Sequence, residues 1–136
     1  ETSKKIFIIN FDQNSNSLDI TKSIEIVYGL RNFIGNANKF SKSKVFINVK
    51  SDSNNTEIII EDDGEGYPKD VLSKIGEPYI KSFKSSTRSK SGLGLGIFIG
   101  KTLLEKNYAN ILCKNSKTRS GAEVSIKWKN KDLLSL

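Results

Sequence analysis

The chain has 136 residues, which is close to the common size of one domain and long enough to bury a substantial core. Hydrophobic residues make up 36% and charged residues 27% of it, and no apolar run approaches the roughly 20 residues that cross a bilayer, so a soluble globular domain is favoured over a membrane segment. The net charge of +7 is compatible with nucleic acid, an acidic membrane surface or a polyanionic small ligand as the partner.

The sequence has one cysteine and no methionine. A single cysteine excludes an internal disulfide, and Cys113 lies in an apparent strand, where we expect a buried and unreactive thiol. The absence of methionine, also at the first position, suggests a piece of a longer protein.

Two predicted elements open the chain. The apolar run from Lys5 to Asn10 predicts a short strand, which is followed by a polar turn. A long amphipathic helix is predicted from Thr21, its expected N-cap, to about Ser41, because apolar residues recur there on one side. Those apolar residues are Ile26, Val27, Leu30, Phe33, Ile34 and Ala37.

A β-hairpin is predicted after this helix. Residues 44 to 50 alternate between apolar and polar, and residues 57 to 61 form a second strand after the Asn54-Asn55 turn. The apolar face of the first strand consists of Val45, Ile47 and Val49.

The middle of the chain differs in character from the rest. A short helix is predicted from Pro68 to Gly76, whereas residues 77 to 95 are polar, rich in serine and without periodicity, which is typical of a functional loop. Residues 78 to 104 contain no acidic residue, which favours a polyanionic small ligand, with a merely solvated basic loop as the alternative. The basic residues there are Lys81, Lys84, Arg88, Lys90 and Lys101.

A helix and two strands complete the chain. The helix is predicted from about Gly96 to Asn107, a strand from Ile111 to Asn115, and a last strand from Ala122 to Trp128 with alternating apolar residues. This order of elements predicts an α/β (α+β) two-layer sandwich, in which a mixed, mostly antiparallel sheet is covered by helices on one face.

The long helix carries the first candidate site. Asn32 and Asn36 lie four residues apart, with Lys39 a further turn along the same side. Amide oxygens are hard ligands that complete the shell of a phosphate-bound Mg²⁺, and a lysine contacts phosphate directly. The polar face of an ordinary amphipathic helix is the alternative.

The second candidate follows the hairpin, where Asp62 opens the run Asp62-Asp63-Gly64-Glu65-Gly66. A carboxylate at a strand end accepts a hydrogen bond from an exocyclic amine, and the two glycines allow a flat ring to approach the backbone. An acidic turn is the alternative, while a calcium loop is disfavoured because its regular ligand spacing and closing glutamate are missing.

The third candidate is the run Gly92-Leu93-Gly94-Leu95-Gly96, which leads into the last helix. Alternate glycines let backbone N–H groups turn toward an anion, and the helix start adds N–H donors and the positive end of its dipole. Ordinary tight loops also contain such glycines, so this run needs the other two segments as context.

Taken in chain order, these segments resemble the sequence boxes of the histidine-kinase ATP-binding domain. The resemblance covers roughly residues 20 to 128, and within the family the chain is most similar to redox-responsive sensor kinases of the Reg/Prr type. Residues 32–40 resemble the N box, residues 62–66 the G1 box, residues 76–79 a degenerate F box and residues 92–96 the G2 box.

The resemblance implies a GHKL, or Bergerat, fold in which ATP lies between the helices and a lid at about residues 77–95. Asn36 would bind Mg²⁺, and Asn32 and Lys39, the catalytic candidates, would contact the metal shell or the phosphates. Asp62 would bind the adenine amine. The other implied ATP-binding residues are Phe40, Gly64 and Gly66 near adenine, Tyr79 in the lid, and Gly92, Leu93, Gly94, Leu95 and Gly96 around the phosphates.

The chain departs from the family pattern in two ways. Gly76 stands where a phenylalanine is usual in the F box, so lid anchoring would fall to Tyr79 and Phe83. The chain also has no histidine, so the phosphoacceptor of a histidine kinase must lie outside it. The expected partners are the parent's own histidine-bearing dimerisation domain and a response regulator, with a monomeric fragment and a homodimeric parent. The expected location is the cytoplasm, and an inner-membrane parent is compatible with the sequence.

The leading hypothesis is transfer of the γ-phosphoryl group of Mg-ATP to that external histidine. The nearest alternative is an anti-sigma-type protein-serine kinase with the same pocket. A gyrase-like or chaperone-like ATPase would place a glutamate where Asn32 stands, and an amide cannot act as a general base. A nucleic-acid-binding module is disfavoured because the basic stretches lack interleaved aromatics, so no nucleic-acid partner is expected.

Overall fold

A computed structural model describes residues 5–12, 23–74 and 93–136, with side chains in the last range described from residue 96 onward. None of the helices in these ranges has the length and apolar character that crossing a bilayer requires. The described elements are β1 (Ile6–Phe11), α1 (Ile24–Phe40), β2 (Lys44–Ser51), β3 (Asn55–Asp62), α2 (Lys69–Leu72), α3 (Leu93–Lys106), β4 (Asn110–Asn115), β5 (Ala122–Lys129) and α4 (Asn130–Leu134).

The strands form one five-stranded sheet in the order β1-β2-β3-β5-β4. β1 is parallel to β2, and the other neighbouring strands are antiparallel, so the predicted mixed, mostly antiparallel sheet is confirmed. The parallel pair follows from chain connectivity, because the crossover from β1 to β2 contains α1 and returns the chain to the starting end of the sheet.

α1 forms as the apolar spacing predicts, but its N-cap is different. Ser23 occupies the cap, and its hydroxyl accepts a hydrogen bond from the backbone N–H of Ile26 at 3.3 Å. The predicted cap, Thr21, lies outside the described residues. The helix ends at Phe40, and its buried stripe consists of Ile26, Gly29, Phe33 and Ala37.

The core lies between the sheet and the pair α1 and α3, so the prediction of helices on one face is confirmed. The strand registers align the apolar residues of β2, β3 and β5 in rows on this face. Phe46 is an exception, because it is buried on the opposite face beneath the guanidinium of Arg119. The core rows of the sheet include Val45, Ile47, Ile60, Val124, Ile126 and Trp128.

Two helix boundaries differ from the prediction, and one helix was not predicted. α3 begins at Leu93 and not at Gly96, so the end of the predicted loop is helical. α2 follows Pro68 at once but ends at Leu72, short of the predicted Gly76, which lies outside the described residues. The short C-terminal helix α4 was not predicted, because five residues are too few for a helical period to be recognised.

α1 and α3 pack closely because two glycines lie at their contact. A Cβ added to Gly29 would lie 2.6 Å from Leu104, and one added to Gly100 would lie 2.8 Å from the ring of Phe33. This close packing places the N-terminal turn of α3 beside the C-terminal half of α1, where the predicted site residues lie.

Candidate nucleotide site

Asp62 lies at the end of β3, on the face of the sheet that the helices cover, and only 1% of its surface is exposed. Its Oδ1 accepts hydrogen bonds from the backbone N–H of Gly64 at 2.9 Å and of Ala122 at 3.3 Å. The carboxylate is thus oriented by backbone from two separate segments, the loop after β3 and the start of β5.

Gly121 and Gly64 allow these segments to approach so closely. A Cβ on Gly121 would lie 2.1 Å from the backbone carbonyl oxygen of Asp62, and one on Gly64 would lie 2.1 Å from that of Phe40. Neither distance is compatible with a side chain. The second contact also joins the Asp62 loop to the C-terminus of α1, so the first two predicted segments meet here.

Asp63, the next residue, has a structural task. Its carboxylate accepts hydrogen bonds from three consecutive backbone N–H groups and from the Ser43 hydroxyl, between α1 and β2. Burial raises the pKa of the Asp63 carboxyl, but these hydrogen bonds from Ser43, Lys44 and Lys42 outweigh it and lower the pKa to about 2. Asp63 therefore fixes the turn after α1.

The glycine-containing loop is held from its other side by Asn115. Gly66 has a φ of +82°, in the left-handed region that glycine adopts without strain. The Asn115 side chain then accepts a hydrogen bond from the Tyr67 N–H at 2.6 Å and donates one to the Tyr67 carbonyl at 3.0 Å. This pair of bonds imitates strand pairing and fixes the loop against β4.

Asn36 lies against the first turn of α3. A Cβ on Gly96 would lie 3.3 Å from both the Oδ1 and the Nδ2 atom of Asn36. The Nδ2 atom is buried and has no hydrogen-bond partner among the described residues. A buried N–H donor without a partner is uncommon, and it suits a ligand that brings acceptor oxygens, such as a phosphate. The first and third predicted segments therefore meet at Asn36 and Gly96.

The remaining N-box residues lie on the same helix with different surroundings. The Asn32 amide donates a hydrogen bond to the Tyr28 carbonyl at 2.8 Å, one turn earlier in α1. Lys39 is exposed, with its ammonium nitrogen 5.6 Å from the centre of the Phe40 ring, and Phe40 packs at the margin of the core. The structure thus places both catalytic candidates near Asn36, in α1.

Part of the predicted site lies outside the described residues. This applies to Tyr79 and Gly92, and to Gly76 and Phe83 of the F-box region. Leu93, Gly94 and Leu95 are described by backbone only and form the first turn of α3, so the predicted glycine turn is helical at its C-terminal end. A helix start offers unpaired N–H donors and a positive dipole end, so an anion site is retained in this form.

Sequence reasoning missed three residues of this site: Asn115, Gly121 and Ala122. The available signal was a glycine directly before an alternating strand. This signal is unspecific, because many other residues serve equally well in a solvent-facing turn. Nothing in the local sequence indicates that Gly121 contacts Asp62, because that contact depends on the pairing of β3 with β5.

The residues that could hold a metal ion are amides and not an acidic cluster. Within the described part of the chain, no group of three or more histidine, cysteine, aspartate or glutamate side chains is arranged to bind a metal. The Oδ1 atom of the half-buried Asn36 side chain fits a cation whose other ligands are phosphate and water. A polar cavity of about 270 Å³ lies at the opposite end of the sheet and contains none of the predicted site residues; Asp12, Lys50, Asp52, Glu57 and Lys127 are among its lining residues.

Curated relatives carry the names of sensor kinases. Sensor histidine kinase RegB of Cereibacter sphaeroides is 35% identical over 124 residues, which cover 80% of this chain and 27% of RegB. Sensor protein SrrB of Staphylococcus aureus is 34% identical over 88 residues, which cover 63% of this chain and 15% of SrrB. The chain thus spans about a quarter or less of the length of these relatives.

Solved structures share the fold at low sequence identity. Mycobacterial sensor histidine kinase MprB has a TM-score of 0.69 at 20% identity, over 91% of this chain and 82% of that one. The nucleotide-free catalytic domain of histidine kinase ThkA has a TM-score of 0.71 at 18% identity, over 92% of this chain and 80% of that one. Full-length ShkA in complex with AMPPNP has a TM-score of 0.66 at 22% identity, over 90% of this chain and 25% of that one.

The expected family is confirmed by a match to a family model over residues 21–132, which is most of the chain. The presence of RegB among the relatives agrees with the predicted similarity to the Reg/Prr type. The chain therefore belongs to the histidine kinase-, DNA gyrase B-, and HSP90-like ATPases and has the fold of histidine kinase catalytic domains.

Proposed function

We propose that this chain is one catalytic domain that binds Mg-ATP and transfers its γ-phosphoryl group to a histidine outside residues 1–136. The observation that carries the proposal is the convergence of Asp62, Asn36 and the start of α3 around the C-terminus of α1. The sensor-kinase relatives and the AMPPNP complex of ShkA, a protein of the same fold, support it.

Each group has a task that its surroundings suit. The Asp62 carboxylate, oriented by two backbone N–H groups, accepts a hydrogen bond from the exocyclic amine of adenine. Gly64 and Gly121 let the two backbone segments that orient Asp62 approach it closely. The N–H groups at the start of α3 bind phosphate oxygens, and Lys39 contributes a positive charge from the exposed side of α1.

Asn36, with Asn32 one turn before it, would hold the magnesium ion, which when bound supplies charge neutralisation on the phosphates. The acceptor imidazole is the nucleophile: a bond forms between its nitrogen and the γ-phosphorus, while the bond to the bridging oxygen breaks and ADP leaves. No described residue has to act as a general base, which agrees with an amide at Asn32.

The proposal also covers the parent protein. The acceptor would lie on a histidine-bearing dimerisation domain of the same parent, and the phosphoryl group would pass on to a response regulator. The domain would act in the cytoplasm. The predicted lid, whose last three residues belong to α3, would include Tyr79 and Gly92 and cover the nucleotide.

A nucleotide panel with and without Mg²⁺ tests the ATP site. We expect ATP and ADP to raise the melting temperature of the chain, more so with Mg²⁺, and GTP to raise it much less, because ligands that bind only the folded state stabilise it. Asn36→Ala should remove the magnesium-dependent part of the shift while the unliganded melting temperature stays close to that of the wild type. Equal shifts with all nucleotides, or no shift with any of them, would contradict the proposed site.

A further inference from the structure

A second buried carboxylate lies directly beside Asp62 in sequence but on the opposite face of the sheet, here called the outer face. Glu61 is only 8% exposed, and the proposed nucleotide site makes no use of it. Buried carboxylates of this kind are held by hydrogen bonds or charges. The Ser116 hydroxyl donates a hydrogen bond to Glu61 Oε2 at 2.7 Å, and Arg119 Nε lies 3.9 Å from Oε1.

Both partners of Glu61 belong to the turn between β4 and β5, residues 116–121. The Ser116 N–H donates to the Gly121 carbonyl at 2.8 Å and closes the turn. The Ser116 hydroxyl oxygen also accepts hydrogen bonds from the N–H groups of Thr118 and Arg119, at 3.3 and 3.0 Å. One hydroxyl thus joins the turn backbone to Glu61.

Arg119 adds a second attachment of this turn to the sheet. Its guanidinium carbon lies 3.7 Å from the centre of the Phe46 ring, and Phe46 is buried on the outer face of β2. Stacking of a guanidinium on a ring orients the side chain as well as attracting it. The turn is therefore fixed to both β2 and β3.

The end of this turn forms one side of the Asp62 environment. Gly121 contacts the Asp62 backbone so closely that no side chain fits, and the Ala122 N–H donates to Asp62 Oδ1. A hydrogen bond of 3.3 Å lies near the upper limit of useful length, so a small displacement of the turn breaks it. The orientation of the Asp62 carboxylate then changes.

We infer that Glu61 is a positioning residue for base recognition: through Ser116 and Arg119 it holds the 116–121 turn where Gly121 and Ala122 orient Asp62. This inference rests on the proposed ATP site. Glu61 would act from the outer face of the sheet, without contact to the nucleotide. Positioning of a recognition group by supporting hydrogen bonds is a general requirement of precise sites.

The chain offers a matched control for this contact. The Ser125 hydroxyl donates to Glu57 Oε2 at 2.6 Å, which is the same type of bond on the same outer face. Glu57 lies four residues before Glu61 in β3, roughly 13 Å further from Asp62 along the strand. Loss of either hydroxyl removes one hydrogen bond to a glutamate, and loss of the Ser116 hydroxyl also removes the two bonds that it accepts from the turn. Only the change at Ser116 should affect base recognition.

The experiment compares Ser116→Ala with Ser125→Ala by calorimetric titration with ATP and with GTP. For Ser116→Ala we expect ATP binding to weaken about three- to tenfold, as is typical when one orienting hydrogen bond to Asp62 is lost, and GTP binding to change less than twofold. The ratio of the two affinities falls as a result. For Ser125→Ala we expect both affinities to stay within about twofold of the wild type.

Two results would overturn the inference: an unchanged ratio in Ser116→Ala, or an equal fall of the ratio in both variants. If Ser116→Ala does not fold, Arg119→Met replaces it, since Arg119 is exposed and its loss leaves the Ser116 bond in place. We expect the same fall in the ratio of ATP to GTP affinity. Absence of that fall overturns the inference. Absence of ATP binding by the wild type would instead refute the proposed function itself.

Discussion

At the scale of single residues, the neighbours Asp62 and Asp63 show how environment assigns different tasks to identical side chains. Asp63 is saturated by hydrogen bonds from the turn after α1, whereas Asp62 is oriented by backbone groups from two segments beside the α1 and α3 pair. The first arrangement stabilises the fold, and the second suits a ligand.

Replacement of Asp62 by asparagine tests its proposed task. The shape is retained and an oxygen remains to accept from Gly64 and Ala122, but an amide donor now faces the exocyclic amine of adenine. We expect ATP binding to weaken by about tenfold or more, while the melting temperature without ligand changes little. Calorimetric titration with ATP and GTP measures this, with Glu57→Gln as the control on the same strand. Equal losses for ATP and GTP would argue against base recognition.

Asp63 makes the stability depend on pH. Its pKa falls from 3.8 to about 2 in the folded chain, so it contributes stability that is fully present above about pH 4 and is lost as the pH falls toward 2. We expect the wild type to lose stability over this range more steeply than Asp63→Asn, which does not titrate. Urea unfolding at a series of pH values measures the difference, and identical slopes for the two proteins would contradict it.

At the scale of elements, the contact of α1 with α3 determines where the proposed phosphate-binding groups lie. Gly29 and Gly100 allow the two helices to approach, and this approach brings Gly96 against the Asn36 amide. Small residues at helix contacts permit short interaxial distances, since the backbones themselves then come close.

Two glycine substitutions in these helices should have opposite effects. A Cβ on Gly100 would lie 2.8 Å from the ring of Phe33, which is 1% exposed and cannot move aside, so Gly100→Ala should reduce the free energy of unfolding by about 1 to 3 kcal/mol. A Cβ on Gly35 would have no atom within 4 Å, so Gly35→Ala should raise it by about 0.5 to 1 kcal/mol through helix propensity. Urea unfolding of both variants measures these changes, and stabilisation by Gly100→Ala would show that the helices do not pack this closely.

At the scale of the whole molecule, the domain presents one helix-covered face and one outer face. The proposed nucleotide site lies at the end of the sheet where β3 ends and β5 begins, and hydrogen bonds reach its surroundings from both faces. The chain contains no histidine, so in the proposed function it supplies the ATP site and another domain supplies the phosphoacceptor.

The absence of histidine gives a direct test of whether the ATP site and the phosphoacceptor lie on separate domains. Incubated with labelled Mg-ATP, the chain should bind nucleotide but gain no acid-labile label, because a phosphohistidine cannot form on it. Addition of a histidine-bearing dimerisation domain from the parent should produce such a label on that domain. Autoradiography before and after acid treatment distinguishes the cases, and an acid-stable label on a serine-containing partner would favour the anti-sigma type of kinase.

Several parts of the fold were predictable because their signals are local. The alternation of Ala122, Val124, Ile126 and Trp128 predicted β5, and the helical spacing of apolar residues predicted α1. The start of α3 was misplaced because alternate glycines are typical of a turn, whereas here the residues from Leu93 onward continue into the helix. Tertiary packing overrides such weak preferences.

The sequence by itself determined the family and the chemical groups of the proposed site, since amides, acid and glycines occur in short runs whose order is read directly. Only the tertiary structure decided that Gly121, Ala122 and Asn115 lie against these groups, and that Glu61 bonds to the adjoining turn on the other face. The physical reason is that these contacts join residues some 50 to 60 positions apart, such as Glu61 with Ser116 and Asp62 with Ala122. They depend on the pairing of β3 with β5 and of β5 with β4, and no local pattern records which strands will pair.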